Sequence, residues 1–68
     1  MKLTIELDRE PDDRWIAEVP ELNILLYGES RHEAIARAEA AAREVVADRI
    51  AHGELPPDSA KTDFQVAA

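Results

Sequence analysis

Two carboxylates near the start of the chain have the type and spacing to bind a divalent cation. Glu6 and Asp8 stand two residues apart in an alternating segment, so both side chains project from one face of a strand. Carboxylate oxygens are the ligands that Mg²⁺ prefers, and two-metal nucleases use several of them together. We expect these two side chains to face solvent instead, and we predict no metal site.

The other residue types that do chemistry are sparse. His32 and His52 lie near opposite ends of one predicted helix, roughly 30 Å apart at 1.5 Å per residue, so they cannot share a metal or a proton. The absence of Cys excludes disulfides and thiolate metal sites. The two glycines, Gly28 and Gly53, do not form a phosphate-binding loop. We therefore expect a protein that is not an enzyme and uses no cofactor.

The excess of acidic over basic residues indicates which kinds of partner the protein could bind. Fifteen acidic residues against eight basic ones give a net charge of −7. Binding to nucleic-acid phosphates requires clustered Lys and Arg, so no direct nucleic-acid contact is expected, whereas an acidic surface complements a basic protein. Solubility alone explains the same charge, and both interpretations stay open. No run of about 18 apolar residues and no signal-like N-terminus is present, so we expect a cytoplasmic protein without membrane contact.

Three strands are predicted in the first half of the chain. Residues 2–9 and 14–19 alternate between apolar and polar side chains, which is typical of half-buried strands. Residues 10–13, Glu-Pro-Asp-Asp, have turn chemistry and join the two strands as an antiparallel hairpin. A third strand is predicted over 22–27, closed by Gly28.

A long helix is predicted over 31–52. Ser30 and Glu33 form a capping box at its start, and Gly53 is the expected residue just beyond its end. The segment between them is rich in Ala, Glu and Arg and contains neither Pro nor Gly. Its apolar stripe consists of Ile35, Ala38, Ala42, Val45, Val46 and Ile50.

A loop over 54–61 and a short strand over 62–66 complete the order β-β-β-α-β. A right-handed crossover through the helix places the last strand parallel to the first and beside it. We predict a single α+β domain over 1–68, with a small mixed sheet and one long helix packed on one face. The other face is left polar or used in assembly, and Ile16 and part of the 24–26 run are its candidate apolar positions.

The three aromatic residues have predicted places in this fold. Trp15 is expected to pack under the helix against Ala38 or Ala42, with an exposed anchor for a partner as the alternative. Tyr27 and Phe64 are expected in the core or in a dimer interface.

Several short motifs, in this order and spacing, resemble the HicB antitoxin family. They are Trp15 in the second strand, then Val19-Pro20-Glu21-Leu22, Gly28-Glu29-Ser30 and Glu33-Ala34, and the resemblance runs over residues 1–57. It implies a partial RNase H-like fold that is similar to the nuclease in shape only. Family members usually carry Pro-Gly after that Leu, where this chain has Asn23-Ile24.

The resemblance implies an antitoxin-like protein of a type II toxin-antitoxin system. Such a protein binds and masks a small basic RNA-cleaving toxin (HicA-like), and it works as a homo-oligomer, a dimer or a tetramer. The alternative is an orphan HicB-like structural or adaptor module that self-associates and binds another protein. Many members continue into a C-terminal DNA-binding domain, which is not expected here. The predicted partner-binding residues are Glu6, Asp8, Trp15, Glu18 and Glu21.

Overall fold

A computed structural model describes residues 1–67 as an α+β fold with a four-stranded mixed sheet. The strand order is β3-β2-β1-β4, with β1–β2 and β2–β3 antiparallel and β1–β4 parallel. The elements are β1 (Lys2–Arg9), β2 (Trp15–Val19), β3 (Ile24–Gly28), α1 (Arg31–Ala51) and β4 (Asp63–Ala67), with 3-10 turns at Pro20–Leu22 and Pro57–Ala60. The predicted fold class, element order and parallel final strand are confirmed.

The β1–β2 hairpin closes through a tight turn. The backbone N–H of Glu10 donates to the carbonyl of Arg14 at 2.7 Å, and the N–H of Asp13 donates back to the carbonyl of Glu10 at 3.0 Å. Asp13 is in the left-handed region, with φ 70°, a conformation that Asp tolerates better than most residues. This turn fixes the register in which Leu7 lies opposite Ala17.

The third strand begins later than predicted. Pro20 cannot donate to a sheet ladder, and it opens a 3-10 turn that includes Leu22. Asn23 then adopts the left-handed conformation, with φ 55°, and its N–H donates to the Pro20 carbonyl at 3.3 Å. The prediction of a strand from residue 22 was therefore wrong by two residues, because Leu22 is buried from within a turn and β3 starts only at Ile24.

Side-chain hydrogen bonds hold the start of α1. The Ser30 hydroxyl accepts from the Glu33 N–H at 3.0 Å, as the capping box predicts. The Glu33 carboxylate accepts from the N–H of Glu29 at 3.0 Å and lies 3.5 Å from Arg37. Gly53 follows the last turn with φ 75°, the conformation for which Gly is favoured at this place.

The core lies between α1 and one face of the sheet. The sheet contributes Leu3, Ile5, Ala17 and Val19, all fully or almost fully buried, and burying an aliphatic side chain of this size stabilises the fold by about 1.5–3 kcal/mol. The helix contributes a four-residue repeat of Ala34, Ala38, Ala42 and Val46. The predicted apolar stripe gave too much weight to the larger side chains. Ile35, Val45 and Ile50 are only half-buried, at the flanks of the buried row, and the fully buried Ala34 was missed.

A glycine lets the helix approach the end of β3. A Cβ atom at Gly28 would lie 2.4 Å from the backbone N of Ala34 and 2.8 Å from its Cα. Both are backbone atoms of the first helical turn, which cannot move aside as a flexible side chain can. The close packing of α1 on the sheet therefore depends on the missing side chain at Gly28.

The variant Gly28→Ala tests this dependence. We expect it to lower the free energy of unfolding by about 2–3 kcal/mol, because the helix must move away from the sheet. Gly53→Ala is the matched control: a Cβ there meets nothing within 4 Å, and only the left-handed conformation costs energy, about 1 kcal/mol. Urea unfolding followed by circular dichroism compares the two, and equal losses would contradict the proposed close contact.

Candidate protein-binding face of the sheet

One face of the sheet is left uncovered by α1. Side chains alternate along each strand, so the residues between the buried core positions project to the opposite side. The cross-strand registers align them in rows. We call this surface the open face and define it by its central residues Glu6, Asp8, Ile16, Glu18, Leu25 and Tyr27.

The part of the open face nearest the β3 edge is apolar and accessible. Leu25 is 49% exposed and Tyr27 40% exposed, two of the four large apolar residues within residues 1–67 with substantial exposure, and Ile16 beside them is half-buried. The predicted exposure of Ile16 and part of the 24–26 run agrees with this placement. A shallow groove of about 520 Å³ runs over this region, lined by Glu6, Leu7, Asp8, Ile16, Glu18, Leu25 and Ala67.

Carboxylates lie beside these apolar side chains, on the inner strands β1 and β2. Glu6 on β1 lies directly opposite Glu18 on β2, and Asp8 is the next residue of β1 on the same face. Residues opposite each other in a hydrogen-bonded antiparallel pair have Cα atoms about 5.5 Å apart, and like charges in such a pair destabilise a sheet. Among residues 1–67, none of the ion pairs involves these three carboxylates. The open face therefore carries concentrated negative charge that the chain itself does not neutralise.

Glu21, another predicted partner-binding residue, lies outside the open face and has an internal role. Its carboxylate accepts from the backbone N–H of Thr4 at 3.1 and 3.2 Å. The next rung of the β1–β2 ladder would place Thr4 opposite Pro20, where β2 has already ended. Hydrogen bonds from the N–H groups of Glu21 itself and of Thr4 lower the pKa of the Glu21 carboxyl, against a smaller opposing effect of desolvation. Glu21 thus completes the ladder where the backbone no longer can.

Trp15 is also separated from the open face. It is aligned with Arg9 and Gly28, on the side of the sheet that α1 covers, and is half-buried against the core. The guanidinium of Arg9 lies over its ring, 5.4 Å from the centroid. Of the five predicted residues, the structure therefore brings together Glu6, Asp8 and Glu18 and separates Trp15 and Glu21 from them.

Tyr27 lies on the open face and is 40% exposed, so it is not a core residue, whereas its predicted place in a dimer interface stays a prediction. The Arg14 guanidinium lies over its ring at 4.7 Å, a favourable cation–π geometry. The Asp12 carboxylate holds Arg14 there, accepting from its Nε at 2.9 Å and from its backbone N–H at 3.2 Å. That backbone hydrogen bond, assisted by the Arg14 charge, lowers the pKa of Asp12. The sequence signal was the alternation of Leu25 with Tyr27, which becomes visible once β3 starts at Ile24.

Nothing in residues 1–67 forms a metal site from three or more His, Asp or Glu side chains. His52 is engaged locally, with its Nδ1 2.8 Å from the carbonyl oxygen of Asp48, and His32 lies in the first turn of α1.

Within residues 1–67, α1 is the one long helix, and it is too polar to cross a membrane. The open face combines acidic and apolar side chains.

Comparisons with known proteins gave no match: no family model fits the sequence, and neither a curated protein nor a solved structure is significantly similar. The likeness of the short motifs to the HicB family therefore rests on the sequence alone.

The opposed carboxylates lead to a first prediction for this site. We expect Glu18→Gln to raise the free energy of unfolding by about 0.5 kcal/mol at low salt, because it removes the repulsion with Glu6. The gain should shrink in 1 M NaCl, where the screening length is about 3 Å. Glu44→Gln, on the exposed side of α1, changes the net charge equally. A similar gain from both variants in urea unfolding would mean that general charge relief, and not the Glu6–Glu18 pair, is responsible.

A second prediction concerns Glu21. Because folding lowers its pKa from the ordinary value of 4.5, the carboxylate contributes stability that is present above the unfolded pKa and lost as pH falls through the folded pKa. Glu21→Gln should therefore lower the urea midpoint at pH 7, and the deficit should shrink as the pH falls below the ordinary pKa of 4.5 and through the lower pKa of the folded chain. The same titration with Glu44→Gln controls for charge, and a deficit that persists unchanged at low pH would rule out the ionised hydrogen bond.

Proposed function

We propose that this protein is a HicB-like antitoxin that binds and masks a small basic RNA-cleaving toxin through the open face. The observation that carries the proposal is the set of three unneutralised carboxylates, Glu6, Asp8 and Glu18, on the same face as the exposed side chain of Leu25, which lies opposite Glu18. Protein interfaces commonly combine apolar and polar side chains, and this surface has both, with apolar side chains on the edge strand β3 beside the carboxylates of β1 and β2.

The energetics of the open face favour a cationic partner. Glu6 and Glu18 repel each other in the free chain, so a Lys or Arg placed between them would replace a repulsion with two attractions. Exclusion of water by Leu25 and Ile16 would strengthen these charge pairs, since the effective dielectric constant falls at a buried interface. The carboxylates therefore act as a preformed receptor for positive charge at some expense to the stability of the fold.

Masking needs no chemistry from this chain. A ribonuclease that attracts RNA phosphates must present basic side chains, and an acidic surface can occupy the same side chains and exclude the RNA. The net charge of −7 would also speed the encounter with a basic protein. The motifs around Trp15, Val19-Pro20 and Gly28-Glu29-Ser30 support the assignment to the HicB-like group.

The second candidate is an orphan HicB-like adaptor that self-associates and binds a protein other than a toxin. The exposed apolar strand β3 at the edge of the sheet favours self-association. The two candidates differ in one respect, which is whether a basic ribonuclease loses its activity when this chain is present.

The test is to purify the tagged chain from its native cells, identify a stoichiometric small basic protein, and measure RNA cleavage by that protein with and without this chain. We expect cleavage to stop at equimolar chain. Reversing the charge with Glu6→Lys and Glu18→Lys together should weaken binding by about 30-fold or more, because a desolvated charge pair becomes a repulsion. Binding should also weaken as salt is raised.

The matched control is Glu39→Lys with Glu44→Lys, which alters the net charge equally on α1, away from the open face. It should leave inhibition nearly unchanged. Cleavage that continues at an excess of the wild-type chain would overturn the antitoxin proposal in favour of the adaptor. Inhibition that survives the reversal of Glu6 and Glu18 would overturn the assignment of the open face.

A further inference from the structure

The outer edge of β3 presents free backbone groups. The Tyr27 carbonyl points away from β2, since it accepts from Nη1 of Arg37 at 3.1 Å. In an antiparallel ladder, a residue whose carbonyl points outward also has an outward N–H, and this alternates every second residue. Leu25 and Tyr27 therefore each offer one backbone donor and one backbone acceptor at this edge. The backbone groups of Leu26, which lies between them, point towards β2 instead.

This edge has few of the devices that usually protect a sheet edge. Its sequence, Ile24-Leu25-Leu26-Tyr27-Gly28, contains no charged residue and no Pro, although charge and Pro are the common means of preventing edge-to-edge pairing. The opposite edge, β4, carries Asp63 and Gln65. Within residues 1–67, Arg37 is the side chain that hydrogen-bonds to the β3 edge, at the Tyr27 carbonyl. A carbonyl oxygen has two lone pairs, so it can accept a second hydrogen bond.

We propose that a second copy of this chain adds to β3 in antiparallel orientation, about a two-fold axis at Leu26. In this register Leu25 of one copy lies opposite Tyr27 of the other, and the two residues exchange both backbone hydrogen bonds. The outward groups of both strands are then satisfied, and the two sheets become one continuous sheet of eight strands. The proposal does not rest on toxin binding, because it concerns the chain alone.

The register is self-complementary in its side chains. Leu25 and Tyr27 are the two most exposed large apolar side chains of the described residues, and each would cover the other across the new strand pair. Aromatic and aliphatic side chains opposite each other on one face stabilise a sheet. Ile16 is already aligned with Tyr27. The dimer would therefore present an apolar strip built from Ile16, Tyr27 and the second copy's Leu25, and the two-fold axis would generate a second, equivalent strip beside it.

The charge distribution permits pairing of two chains that are each strongly acidic. Glu18 lies on β2, so the two Glu18 residues of a dimer would be separated by three strand spacings, about 14 Å. That exceeds the screening length of about 8 Å at physiological ionic strength. Arg14, the charged side chain on the Tyr27 ring, is already paired with Asp12. Arg37, which lies at this edge, is paired with Glu33 at 3.5 Å. The apolar contacts and backbone hydrogen bonds at the two-fold axis are therefore opposed only by distant Glu18 carboxylates and by arginines that are each paired within their own chain.

The five-residue strand implies a small interface and hence a concentration-dependent dimer. Sedimentation and light scattering over a range up to about 1 mM chain, where even a weak interface is populated, should show a monomer–dimer equilibrium. Leu25→Lys should abolish it. Val66→Lys is the matched control, since Val66 is 39% exposed and lies on the opposite edge strand; it should leave dimerisation unchanged.

Single cysteines test the register, since the natural chain contains no Cys. A mixture of Leu25→Cys and Tyr27→Cys chains should form the mixed disulfide under mild oxidation. The two Cα atoms would be about 5.5 Å apart, within the range of about 4.4–6.8 Å that a disulfide bridges. Either variant alone should cross-link much more slowly, because equivalent positions are about 8–9 Å apart in this register.

Three outcomes would overturn the proposal. A wild-type chain that stays monomeric at the highest concentration excludes the dimer. A dimer lost with Val66→Lys but kept with Leu25→Lys places the interface at the β4 edge. Homodisulfides that form as fast as the mixed disulfide exclude this register, and they would indicate another alignment or stacking of the open faces.

Discussion

The close approach of α1 to the sheet at Gly28 determines how much of the sheet the single helix can cover. With no Cβ at Gly28 and three alanines fully buried along the helix, the helix backbone lies near β2 and β3. A helix lined with small residues has a narrow apolar stripe, so Trp15 and Phe64 at its flanks stay half-buried. Arg9 and Arg43 cover these two rings, at 5.4 and 5.1 Å from their centroids. The helix covers only this side of the sheet, so the open face on the other side stays exposed to solvent.

The elements themselves could be predicted because their signals are local. Alternation defined β1 and β2, the Ser30 capping box defined the start of α1, and the crossover rule placed β4 beside β1. The start of β3 could not be predicted by the same means. Apart from Asn23, the stretch from Leu22 to Tyr27 is apolar, so periodicity does not show that Leu22 belongs to a turn and that Asn23 is left-handed.

The candidate site was predictable in part for the same reason. The placement of Glu6, Asp8 and Glu18 on one face follows from strand alternation and the hairpin register. The role of Glu21 depends on Thr4, seventeen residues away, and on the loss of a ladder partner at Pro20, which no local pattern encodes. Likewise Tyr27 joins the open face only because β3 starts at Ile24. What depended on local alternation and the tight β1–β2 hairpin was predictable. What depended on contacts between distant segments, or on the turn before β3, was not.

The parallel pairing of β1 with β4 has a consequence for how the chain folds. Lys2 is aligned with Asp63, so this contact joins positions separated by nearly the whole chain, whereas the hairpins and α1 are built from near neighbours. Loop-closure entropy makes such distant contacts slow to form. We expect β4 to dock last, onto a preformed β1–β2–β3 sheet and helix. A chain in which β4 has not yet docked would expose the outer edge of β1, with Leu3 and Ile5 behind it, and we expect this partly folded form to be the one most open to aggregation.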